Sequence, residues 1–140
     1  MDLDDTYKAI EVFIVANWPG ALSAVDYVFG EANFTVAKEP ASTDSWVRII
    51  IYPGIADKLE IRRLGASIRN GVIMINVFTP KISGTRLGAS YAAEIEGMLR
   101  HQRLETSGVL NCYEPSTTYV PNQLDTWLNH LVTIPFTVLI

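Results

Sequence analysis

The closing segment Trp127–Ile140 constrains the fold most, because its pattern has one physical solution. It contains no Lys, Arg, Asp or Glu, and Val132, Ile134, Phe136, Val138 and Ile140 alternate with Leu131, Thr133, Pro135, Thr137 and Leu139. A period of two belongs to a strand, whose successive side chains point to opposite faces. Pro135 cannot donate to a ladder, so the strand is expected to lie at an edge there or to bulge. A long apolar edge without charge is one that proteins normally blunt. A subunit or partner contact that includes Val138 is therefore expected.

Other segments read the same way. Trp46-Val-Arg-Ile-Ile-Ile-Tyr52 is β-rich and ends at Pro53-Gly54, and its three consecutive isoleucines predict burial on both faces. Leu59–Arg69 has strand character with a bulge at Gly65. Asn70-Gly71 then supplies a type I′ hairpin turn, and Val72–Thr79 leaves it as a strand closed by Pro80. Val25–Phe29 and Val109–Val120 are further strands, the latter followed by a turn over Pro121–Asp125. Glu31–Ser45 holds few apolar residues and reads as a long excursion.

Two segments have helical period. Asp4 or Asp5 can cap a helix over Thr6–Asn17, where Ile10, Phe13 and Ile14 share a face and Trp18-Pro19-Gly20 is the stop. After a corner at Ile82–Gly84, Arg86–Arg103 places Leu87, Tyr91, Ile95 and Leu99 on one stripe, with Arg100 and Arg103 set to complement the helix dipole. The element order predicts an α+β domain, mainly antiparallel sheet with two helices on one face. At 140 residues, 49% hydrophobic and 19% charged, the chain fits one globular domain over 1–140. The acidic N-terminus is unlike a signal peptide, no apolar run is long enough to span a bilayer, and a lone cysteine fits a reducing cytoplasm.

Chemistry is sparse. Ser90 stands in a helical repeat rather than on a strand-to-helix turn, and Gly84-x-x-x-Gly88 lacks the Gly-Lys-Ser/Thr of a phosphate loop. Cys112, His101 and His130 have no local spacing that makes a dyad or a metal set. Asn33-Phe-Thr35 matches a glycosylation acceptor without a secretory signal, and Asp2, Asp4 and Asp5 cluster at a terminus. No catalytic, cofactor or metal site is expected. Charge is more informative: residues 1–57 sum to −6, 58–103 to +5 and 104–140 to −3. This is either ordinary variation of a solvated surface or the mark of copies meeting head to tail. In the second case Arg62, Arg63, Arg69 and Arg86 would face acids drawn from Asp26, Glu31, Glu39 and Asp44.

The order of motifs resembles the tail terminator, or tail completion, proteins of long-tailed siphovirus-type bacteriophages. The matching features are the N-terminal helix, Trp46-Val-Arg-Ile-Ile-Ile with Pro53-Gly54, Leu64-Gly65, Arg69-Asn-Gly71, the strand Val72–Phe78 into Pro80, Gly84 before the second helix, and Trp127-x5-Thr133-Ile-Pro-Phe136. Together they span about residues 4–138. The resemblance implies a homo-oligomeric ring, commonly a hexamer, at the head-proximal end of the tail in the virion, made in the bacterial host cytoplasm. Its partners would be the tail tube protein and the head–tail connector or neck protein, with genomic DNA passing through the lumen without sequence-specific binding and no membrane involved. Alternatives are another neck or minor tail protein, or, from a different class, a small cytosolic ligand-binding or enzyme domain using Cys112 and one histidine.

Overall fold

The computed structural model describes residues 2–30, 44–54, 56–58, 67–121 and 127–139. Over these residues the chain is α+β: helix α1 (Leu3–Asn17), strands β1 (Asp26–Phe29), β2 (Trp46–Tyr52), β3 (Ala56–Lys58) and β4 (Ser67–Pro80), helix α2 (Thr85–Leu99), then β5 (Arg103–Glu105), β6 (Val109–Cys112), β7 (Ser116–Val120) and β8 (Trp127–Leu139). The eight strands form one sheet in the order β1-β2-β4-β8-β6-β5, with β3 beside β4 and β7 beside β8. The sheet is mixed: β1 runs parallel to β2, and every other pairing is antiparallel.

The spine is the β4–β8 ladder, continuous from Ile68↔Leu139 to Pro80↔Trp127. On its helix-facing side Ile73, Ile75 and Val77 of β4 meet Val132, Ile134, Phe136 and Val138 of β8, all fully or almost fully buried. Val47, Ile49 and Ile51 extend that surface on β2. Ile10 and Ile14 of α1 and Ala92, Ile95, Met98 and Leu99 of α2 join the same core, so both helices cover one face. Ile50, between Ile49 and Ile51, is half-buried on the opposite face, so the isoleucine run serves both sides.

Several expectations are corrected. Asn70-Gly71 makes no hairpin turn: both residues lie inside β4, and neither has positive φ. Gly71 is there for room, since a Cβ would come 2.4 Å from the Phe136 ring and 2.5 Å from the Tyr52 carbonyl oxygen. The irregularity falls at Pro53-Gly54 instead. Between Tyr52↔Val72 and Ala56↔Arg69, three residues oppose two, which is a bulge in a strand that β3 continues. Gly54 has φ 69, and a Cβ would lie 1.6 Å from the Asn70 oxygen, so only glycine fits. The bulge expected at Gly65 lies outside the described residues, as does most of the 31–45 excursion.

The helix boundaries also shift. Asp2, not Asp4 or Asp5, caps α1: its carboxylate accepts from the Asp5 N–H at 2.7 Å, and Asp5 returns the bond to the Asp2 N–H. α2 ends at Leu99, because His101 takes the left-handed conformation (φ 52) that closes a helix. Arg100 is therefore a cap and Arg103 opens a strand, so neither sits in a last helical turn. Its buried face is Gly88, Ala92, Ile95, Met98 and Leu99, with Leu87 and Tyr91 only half-buried. Val109–Val120 is two strands broken at Tyr113–Pro115.

β8 is the element most changed by the structure. It is central rather than an edge, with β4 on one side and β6 and β7 on the other. Pro135 sits where the β6 register (Cys112↔Phe136) steps by one residue to the β7 register (Ser116↔Thr133). Its carbonyl still accepts from the Tyr113 N–H at 2.9 Å. β8 is neither an edge nor bulged there: it runs unbroken against β4, and the extra residue lies opposite, in Tyr113–Pro115 between β6 and β7.

Candidate assembly surfaces

Val138 is fully buried in the subunit core, so its side chain is not an interface. The alternation that placed it on one face was right, but period cannot tell a core neighbour from another copy. Arg62, Arg63, Glu31 and Glu39 lie outside the described residues. Arg69 is half-buried on the helix-facing side of β4, level with Val138, with Nη1 shut from solvent and without a hydrogen-bond partner. Asp26 and Arg86 are exposed at the other end of the sheet, where β1 begins beside Trp46 and α2 follows Pro80. Asp44 is exposed there too, and its carbonyl accepts from the Trp127 indole at 2.9 Å. The described acids and Arg86 thus share one end of the sheet, and Arg69 belongs to the opposite end.

That first end also gathers aromatic side chains on the helix-free face. Trp46 stacks on Phe78 at 4.0 Å, Trp127 meets Trp46 edge-on at 5.7 Å, and the Arg48 guanidinium stands 5.6 Å over the Phe78 ring. On the helix side, Trp18, Tyr27 and Phe29 form a chain of ring contacts at 4.4 and 5.8 Å. The Trp18 indole donates to the Leu22 carbonyl at 2.9 Å. These contacts pin β1 to the body.

Cys112 and His130 are not brought together. Cys112 pairs with Phe136 and His130 with Val77 and Tyr119, so six residues of β8, about 20 Å, separate the thiol and the imidazole. Burial pushes the Cys112 thiol up to about 11, away from nucleophilic character. His101 faces solvent and pairs with Glu114 at 2.9 Å. Ser90 is exposed on α2, and no cluster of three metal-ligating side chains occurs among the described residues. A groove of about 550 Å³ runs between α1 and β5, lined by Val12, Phe13, Leu104 and Ser107 among others. Its charged rim is largely self-paired, Lys8 with Asp4 and Arg103 with Glu105, both at 2.7 Å.

Sequence reasoning missed two exposed features. One is the apolar outer side of α1, where Val12 and Val15 lie open beyond the Ile10–Phe13–Ile14 stripe. The other is β7, an edge strand whose Ser116, Thr117, Thr118 and Tyr119 are all exposed. The break at Glu114-Pro115 was its available signal, since proline ends one ladder and allows another to begin.

No family model matches this sequence, and no curated protein matches it. Solved structures do match: one chain, which bears no functional name, superposes with a TM-score of 0.72 at 19% identity, over 99% of this chain and 96% of that one. The class defined is therefore a fold, α+β with one curled mixed sheet and two helices. At that identity the likeness extends to the fold alone.

Proposed function

We propose that this protein is a tail terminator of a siphovirus-type bacteriophage: a ring, commonly six subunits, that caps the head-proximal end of the tail tube, stops its growth and presents the joining surface to the connector. The observation that carries this reading is the order of motifs from the N-terminal helix through Trp46–Gly54 and Val72–Pro80 to Thr133-Ile-Pro-Phe136. The fold gives those motifs structural duties: the bulge at Pro53-Gly54, the close approach at Gly71 and the register step opposite Pro135. The function works by shape and surface chemistry, with DNA passing through the lumen unread. The separation of Cys112 from His130 and the self-paired groove weigh against the alternative of a small enzyme.

No described helix is long and apolar enough to cross a membrane. The virion, assembled in the host cytoplasm, is the location that goes with this function. Another neck or minor tail protein would share the fold, and a deletion phenotype separates the two. Removing the gene from an inducible phage should leave filled heads without tails beside tubes of uncontrolled length. Tubes of normal length would instead place the protein elsewhere in the neck.

A further inference from the structure

At one level of the sheet the strands run β1-β2-β4-β8-β7, and the outer edges of that ribbon are β1 and β7. The two edges are level. One rung passes through Asp26, Trp46, Phe78, Asn129 and Val120, and another through Phe29, Ile49, Ile75, Val132 and Thr117. Following the pairings, β1, β2 and β8 point one way while β4 and β7 point the other. No described strand covers either outer edge.

Among the described residues both edges lack the usual protection. β7 reads Ser-Thr-Thr-Tyr-Val, with β-branched residues, no charge and no proline, and its first four residues are exposed. β1 carries one charge, Asp26 at its very start, and Val28 is only half-buried. Such strands expose unpaired N–H and C=O groups in a row, a template for another chain. We infer that β7 of one copy adds to β1 of the next, extending the ribbon as a continuous sheet from subunit to subunit.

Three features select a second copy as the occupant. Copies related by rotation about an axis along the strands keep their directions, so β7 meets the next β1 antiparallel, the favoured pairing. The edges match in level, all four residues of β1 lying opposite Thr117–Val120 of β7, with the rungs Val28↔Thr118 and Tyr27↔Tyr119 formed without a shift. Charge does not oppose the contact: Asp26, exposed at the start of β1, is the one charge on either edge strand, so no like charges meet across it. Two different surfaces meet in this contact, so it propagates and closes only as a ring.

The inference rests on the ring reading, and its dimensions agree with it. Five strands at about 4.8 Å occupy about 24 Å per subunit, so six subunits trace about 144 Å, about 46 Å across. Side chains on the inner face leave about 35 Å clear, wider than a DNA duplex.

Val28→Cys with Thr118→Cys in one chain tests the contact, because side chains facing each other across antiparallel strands lie within disulfide reach. Cys112 is buried and takes no part. Oxidation should link successive copies into a ladder of oligomers on a denaturing gel, with neither single variant doing so. Thr118→Lys, exposed and harmless to the fold, should weaken self-association at least about tenfold in sedimentation with unchanged thermal unfolding. A wild-type protein that stays monomeric overturns both this inference and the ring reading. Rings that form without the cross-link and ignore Thr118→Lys overturn the edge contact alone, and Thr118→Cys dimers would show two β7 edges pairing instead.

Discussion

At the residue scale α2 and β8 meet closely at Gly88 and His130. A Cβ on Gly88 would come 2.3 Å from His130 Nδ1 and 3.2 Å from Thr79 Oγ1, so the helix approaches the sheet only because glycine is there. Alanine gains about 1 kcal/mol of helix propensity but overpacks the contact by about 1–3 kcal/mol. Gly88→Ala should therefore destabilise the protein in urea unfolding, and in a His130→Ala background it should turn stabilising. His130 is buried, and the loss of solvation holds its pKa below the ordinary histidine value. The unfolded chain takes up that proton near pH 6.5 while the folded chain resists it. The stability this histidine contributes is therefore fully present above about pH 6.5 and lost as pH falls through the folded value. Thermal unfolding should drop between pH 7.5 and 5.5, and His130→Gln should flatten the drop. Cys112, raised to about 11 by burial, should react with a thiol reagent at pH 8 only as fast as the protein opens.

At the scale of elements, β8 shows what was readable and what was not. Its length, its alternation and a break in its pairing at Pro135 were legible, because each follows from local backbone chemistry. Its central position was not, because an uncharged apolar strand suits a sheet interior and a covered edge equally well. The same ambiguity misled at Asn70-Gly71. That dipeptide favours a tight turn, but Phe136 and Tyr52 press on Gly71 from neighbouring strands, and tertiary packing overrode the local signal. One edge strand, β7, is polar and hid inside Val109–Val120. These placements decide the outcome of Val138→Lys. A lysine there buries an unpaired charge in the core, at a cost of about 3 kcal/mol or more, and should yield poorly folded protein by circular dichroism rather than folded monomers.

At the scale of the whole molecule, the fold class and both helices were legible from period, while the candidate surfaces were only partly so. Net charge by thirds of the chain suggested two opposed patches, yet Asp26, Asp44 and Arg86 gather at one end, since strands that are distant in sequence lie side by side in the sheet. A polarity along the chain is not a polarity in space. The proposed function is self-assembly into a ring that caps a tail tube. The most direct test is electron microscopy of growing tail tubes, formed from the tube protein encoded with it, after the purified protein is added. Growth should stop, with a single ring at one end of each tube. Tubes that keep growing, with the protein dispersed as monomers in solution, would contradict it.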